Sequence, residues 1–150
     1  MLSFQLEAWP EIVEELKPLF PRHWREIGVD HEAIPMDMDY EAYGRAHDTE
    51  HLKIITARDR SKLVGYCMAF SSTHLHYKST LFGLGDLYWL APEYRSGPAG
   101  VRMFLAFEKL HKSLGARKLT SISKLHSDVS PMFLELGWKP QETTFTKVLS

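Results

Sequence analysis

Between Leu87 and Leu105 an apolar run, Leu87-Tyr88-Trp89-Leu90, enters a short turn, Arg95-Ser96-Gly97-Pro98-Ala99-Gly100, that opens directly into an amphipathic helix. Val101, Phe104 and His111 trace one line of that helix, and Met103, Phe107, Leu110 and Leu114 trace its apolar stripe. Gly115 supplies a left-handed stop, and Ala116 to Ile122 reads as a strand. A strand, a helix and a second strand in one sheet require a crossover, and so parallel pairing. The turn also presents backbone N–H groups and the positive end of a helix to an anion, which suits a phosphate-bearing ligand.

The elements before this unit predict a different kind of pairing. His51 to Ala57, Leu63 to Phe70 and Leu81 to Leu90 read as strands joined by the polar turn Arg58-Asp59-Arg60-Ser61 and by the connection Ser71 to Thr80. They form an antiparallel meander whose third arm feeds the glycine turn. Residues 2 to 7 predict a first strand. Pro10 and the spacing of Trp9, Ile12, Val13, Leu16, Leu19 and Phe20 predict a helix ending near Pro18 or Pro21. A second short helix covers Trp24 to Ile27 and stops at Gly28. Residues 29 to 50 are acid-rich and unpatterned, and read as a solvated connection or a substrate-facing loop. A short helix spans 128 to 136, and Thr143 to Leu149 closes the order as a strand. The expected fold is α/β (α+β): a mixed, mainly antiparallel twisted sheet of six or seven strands flanked by about four helices. With 150 residues it forms one domain, 1–150.

Composition narrows the functional classes. Net charge is -1 with basic and acidic residues interspersed, so the concentrated basic face that nucleic-acid binding needs is not expected. Apolar runs stay short of the ~20 residues a membrane span requires, and the start Met1-Leu2-Ser3-Phe4-Gln5-Leu6 lacks a secretory pattern. The single cysteine, Cys67, lies in an apolar run and reads as a buried, inert thiol in a reducing, cytoplasmic setting.

Three motifs together point to a family. The turn is similar to Gln/Arg-x-x-Gly-x-Gly/Ala, with Arg95 and Gly100 matching, Pro98 where glycine is usual and Gly97 one place early. Leu90-Ala91-Pro92-Glu93-Tyr94-Arg95 follows the usual approach to that motif, and Met132-Phe133-Leu134-Glu135-Leu136-Gly137-Trp138 resembles a late Tyr-x-x-Leu-Gly-Phe element. With the element order, these resemble the GCN5-related N-acetyltransferase (GNAT) family over nearly the whole chain. A nucleotide P-loop is a poor rival, because the Gly-Lys-Ser/Thr ending is missing.

The resemblance implies an acetyl-coenzyme A-dependent acyltransferase acting on a primary amine by direct attack, with acetyl-coenzyme A as co-substrate and no metal. It implies that Leu90, Arg95, Ser96, Gly97, Pro98, Ala99, Gly100 and Val101 hold the cofactor. A backbone N–H near Leu90 would polarise the thioester carbonyl, and His126 stands where asparagine is frequent. Pro98 removes one N–H from the phosphate nest but preorganises the helix start. Gly85-Asp86-Leu87-Tyr88-Trp89 is nearest to the Glu-Asp-Leu-Tyr-Val strand of small polyamine and thialysine acetyltransferases, with Gly85 in place of the glutamate. The family tyrosine that protonates the leaving thiolate falls at Phe133, which has no proton to give.

For catalysis the candidates are therefore Asp86, which can attract or deprotonate an amine, His76 as a replacement base, and Tyr94 as a hydroxyl. Tyr40, Tyr43, His74 and Tyr88 are candidates for the acceptor pocket, with core packing or surface contact as the alternative for each aromatic or histidine. The acidic segment from Asp30 to Glu50 and Asp86 favour a small cationic amine. Two alternatives stay open: a catalytically weak or inactive protein of this fold that binds coenzyme A or a protein partner, and an acetyltransferase for protein lysines or N-termini. A homodimer is compatible with either.

Overall fold

The computed structural model describes residues 1–150. The chain forms β1 (Leu2–Leu6), α1 (Trp9–Leu16), α2 (Leu19–Ile27), α3 (Tyr40–Asp48), β2 (Leu52–Asp59), β3 (Lys62–His74) and β4 (Tyr77–Leu90), then α4 (Ala99–Ser113), β5 (Lys118–Thr120) and α5 (Ser130–Glu135). A single 3₁₀ turn, Pro92–Tyr94, links β4 to the approach to α4. The sheet order is β1-β2-β3-β4-β5, antiparallel throughout except for the β4–β5 pair. The crossover through α4 makes that last pair parallel, as the strand–helix–strand spacing predicts.

Successive residues of β4 show how the layers are built. Tyr88 meets Phe104 of α4 and Phe133 of α5 edge-on, with ring centroids 5.2 and 6.0 Å away. Its neighbour Trp89 turns to the opposite face, toward His23 of α2 and Tyr66 of β3. The helices α1 to α3 therefore cover one face, and α4 and α5 the other. Ile12, Leu16, Ile54, Tyr66, Met68, Met103, Phe104 and Phe107 form the fully buried centre. Removing that apolar surface from water is the main force holding helices to sheet.

Several boundaries differ from the sequence reading, each for a local reason. Helix α2 begins at Leu19, with Pro21 in its first turn, where a missing N–H breaks no helical bond. Helix α3 forms inside the acid-rich stretch because Asp39 caps it, its Oδ1 accepting from Ala42 N–H at 2.8 Å. Strands β3 and β4 continue through Ser71 to Thr80 as one long hairpin turning at Leu75 and His76. The sheet has five strands, fewer than six or seven, because Thr143 to Leu149 joins no ladder: no backbone hydrogen bond is made beyond Trp138. The left-handed stops expected at Gly115 and Gly137 are present, with φ of 87° and 83°. No helix is long and apolar enough to cross a membrane.

Candidate active site

The pairing of β3 with β4 slips by one residue beside the site. Met68 faces Leu87 and Ala69 faces Gly85, so Asp86 is the extra residue of a β-bulge. A bulge re-aims the side chain it carries. Asp86 accepts a hydrogen bond from Tyr43 Oη of α3 at 2.5 Å. Burial pushes its carboxyl up, against the opposing effect of that bond. Tyr43 is held in turn by stacking between Trp9, 5.0 Å away, and Phe70, 6.2 Å away.

Asp86 lines a cleft of about 330 Å³ whose walls are β4, α2, the leading turn of α4 and the segment after β5. At the α4 end, Arg102 N–H is the first to reach a helical carbonyl, that of Pro98 at 2.9 Å. The N–H groups of Ala99, Gly100 and Val101 have no backbone partner, as for any helix start. Pro98 occupies the cap position, so its missing N–H removes only one orphan donor from this group. Gly97, with φ +94°, turns the chain into the helix through a conformation that a side chain would strain. Gly97, Gly100, Val101, Leu90 and Arg95 all line the cleft, while Ser96 and Pro98 are exposed and Ala99 is buried.

Two residues absent from the sequence reading organise the opposite wall. Glu26 of α2 accepts from Trp89 Nε1 at 3.0 Å and from Arg95 Nη2 at 2.8 Å. Arg95 Nε also donates to Leu90 O at 2.7 Å, so the guanidinium ties α2 to the end of β4. His126 does not line the cleft, but its Nε2 lies 3.0 Å from the backbone carbonyl of Glu26 and so ties the segment after β5 to α2. One turn before Glu26, the buried His23 places Nδ1 2.8 Å from Tyr66 Oη, and burial pulls its pKa down to about 4. The pair His23 and Glu26, three apart, shares one helical face, a signal that appears once α2 is known to begin at Leu19.

The remaining candidates lie elsewhere or are already engaged. His74 and His76 meet edge-on at the hairpin tip, with ring centroids 4.6 Å apart. Tyr77, which pairs with His74, precedes Asp86 by nine positions on an extended strand, about 30 Å of chain. Tyr94 donates to Asp59 at 2.9 Å and does not line the cleft. Tyr40 packs on Trp9 and Phe20, away from the cleft. Tyr88 lines it but donates to Ile122 O at 2.5 Å, and burial pushes its phenol up to about 12. The acidic residues of 30–50 do not line the cleft, whose carboxylates are Glu26 and Asp86. Gly85 cannot carry a glutamate as the strands stand, because a Cβ there would lie 2.5 Å from Thr120 O. Phe133 is wedged edge-on against Phe104, 4.9 Å away. Cys67 is buried with its thiol pushed up by desolvation, as expected of an inert thiol. No group of three or more metal-ligating side chains occurs.

No family model and no curated protein matches the sequence. Solved structures match in shape. A predicted acetyltransferase from Clostridium acetobutylicum, solved with acetyl-CoA, is 10% identical with TM-score 0.73, covering 98% of this chain and 96% of that one. An aminoglycoside acetyltransferase from an uncultured soil metagenomic sample, solved with sisomicin, is 12% identical with TM-score 0.75, covering 99% and 97%. A ribosomal-protein-alanine N-acetyltransferase from Brucella melitensis biovar Abortus is 10% identical with TM-score 0.73 and covers 100% of both chains. The class this defines is a fold: a twisted, mostly antiparallel GNAT-like sheet flanked by helices.

Proposed function

We propose that the protein is an N-acetyltransferase that moves acetyl from acetyl-coenzyme A to the primary amine of a small cationic molecule, by direct attack in a ternary complex. The observation that carries this reading is a single cleft lined by both Asp86, held by Tyr43, and the leading turn of α4. The unpaired N–H groups of Ala99, Gly100 and Val101, with Arg95 beside them, fit a pyrophosphate. When bound, acetyl-coenzyme A supplies an activated acetyl group whose C–S bond breaks as the C–N bond to the acceptor forms. Asp86 attracts the acceptor ammonium, takes its proton and leaves a neutral nitrogen. Tyr43 fixes the carboxylate. The nitrogen sheds its second proton to solvent as the C–N bond forms, and solvent supplies the proton for the leaving sulfur, since Tyr88 is committed to Ile122 and Phe133 has none.

The aminoglycoside acetyltransferase solved with sisomicin supports the small-molecule reading by likeness of fold. Phe133, which offers no proton to the leaving sulfur, favours one second reading, a protein that binds the cofactor without turning it over. Thiol release measured over polyamines, aminoglycosides, amino acids and peptide N-termini separates the two. The proposal expects turnover that rises with acceptor charge at low salt, and a loss of about 10² in kcat/KM for Asp86→Asn. Cofactor binding without release on any acceptor overturns it in favour of the binding protein. Turnover confined to peptide N-termini or lysines overturns the acceptor class.

A further inference from the structure

We propose that His23 selects the acceptor: its Nε2–H, open to the cleft, favours amines that also carry a hydroxyl or carbonyl oxygen over plain alkyl amines. The role rests on the acetyl-transfer reading, whereas the tautomer behind it stands on this chain's own bonds. Tyr66 fixes that tautomer. Tyr66 is 0% exposed, and its Oη has one partner, His23 Nδ1 at 2.8 Å. A buried phenol hydrogen needs an acceptor, and Nδ1 is the one within reach. The phenol therefore donates, Nδ1 accepts, and the single proton of the neutral ring stays on Nε2. Burial keeps the ring neutral, with Arg95 and Lys124 also opposing its charge and Glu26 favouring it, so that its pKa lies at about 4.

The proton on Nε2 has no partner within the chain. Unlike His31 Nε2 and His111 Nε2 it is not sealed off, and it opens into the cleft that His23 lines. The opening is narrow, since His23 is only 4% exposed, so little water competes for the donor. Its position is on the acceptor's side. The His23 ring lies 6.4 Å from that of Trp89, on the sheet face that α1 to α3 cover. Asp86 is bonded to Tyr43 of α3 on the same face, three positions before Trp89, about 10 Å along a strand. The helix whose leading turn fits the pyrophosphate, α4, packs on the other face. An amine held at Asp86 thus extends its body toward His23. A neutral N–H cannot bind an ammonium, and it takes an oxygen instead. A plain alkyl amine leaves the donor desolvated and unpaired, which costs more than making the bond gains.

Two measurements on the full chain test this. Magnetic resonance of isotope-labelled histidine nitrogens, with His23→Leu assigning the signal, is expected to show the Nε2–H tautomer. Tyr66→Phe is expected to mix the two tautomers. The Nε2 signal should shift when an amino alcohol is added and not when the alkylamine of equal length is added. Thiol release is then compared for amines matched in length and charge that differ by one hydroxyl or one amide carbonyl. The oxygen-bearing member is expected to have a kcat/KM about 3–10-fold higher, the worth of one neutral hydrogen bond. His23→Leu should erase that ratio, and Tyr66→Phe, which keeps the imidazole, should reduce it in part. Should His23→Leu lose the native near-UV circular dichroism spectrum, Tyr66→Phe carries the comparison. An Nδ1–H tautomer in the wild type overturns the proposal. So does a ratio that the variants leave in place, or a loss of rate equal on every acceptor. If no amine releases thiol, the acetyl-transfer reading fails by itself and the Nε2 signal decides: one that ignores every oxygen-bearing amine overturns the role of His23.

Discussion

Replacing Tyr43 by phenylalanine removes one hydroxyl and leaves the ring between Trp9 and Phe70. The lost bond is the 2.5 Å contact to Asp86, the only side-chain hydrogen bond that carboxylate makes. Burial raises the Asp86 pKa and the Tyr43 bond opposes that rise. Deleting the bond therefore pushes the pKa further up. A hydrogen bond to a charged group is worth about 1.5–3 kcal/mol, and one pKa unit corresponds to about 1.4 kcal/mol. The acid limb of kcat/KM should then move up by about 1–2 pH units. If Asp86 must be ionised to act, the variant loses activity at the acid end of the profile and recovers it as pH rises. The assay is thiol release against pH at subsaturating acceptor, with Asp86→Asn as the reference that lacks this limb. An acid limb that stays in place, or moves down, would refute the coupling of Tyr43 to a working Asp86.

Glu26→Gln removes a negative charge from the cleft and releases the Arg95 guanidinium. Coenzyme A should bind about 2–5-fold tighter by calorimetry, in line with one competing ion pair at a partly exposed site. His23 is neutral and buried, with a folded pKa of about 4 against an ordinary value of 6.5. The unfolded chain takes up its proton first as pH falls, so stability is full above pH 6.5 and is lost between 6.5 and 4, by at most about 3 kcal/mol. Urea melts over that range should show the slope in the wild type, and His23→Leu should flatten it.

The legible parts of this chain were those with a strong local signature. The β4–turn–α4–β5 unit could be read from Gly97, Gly115 and the stripe through Met103 and Phe107, because conformation there is set by neighbours in sequence. Asp86 could be picked out by residue type, but not its bulge, which depends on the register with Met68 and Ala69 across the sheet. Helix α3 has no buried residue, so no apolar stripe announced it, and only the Asp39 cap and the paired Tyr40 and Tyr43 marked its start. His23 and Glu26 were hidden by the start assigned to their helix, which Pro21 does not interrupt. His74 and His76 would share a face only on an extended strand, but the chain turns at Leu75 and His76, and the length of the hairpin carries them far along β4 from Asp86. Thr143 to Leu149 has a strand's composition, but its own sheet does not take it up.

The central claim is that the leading turn of α4 and the cleft beside it hold acetyl-coenzyme A. Calorimetric titration of the full chain with acetyl-coenzyme A and coenzyme A tests it most directly. Saturable one-to-one binding is predicted, weakened by added salt because the pyrophosphate is held by helix N–H groups and Arg95. Asp86→Asn should leave that binding unchanged, since its carboxylate acts on the acceptor. An absence of saturable heat up to about millimolar ligand, a range corresponding to only about 4 kcal/mol of binding free energy, would contradict the account.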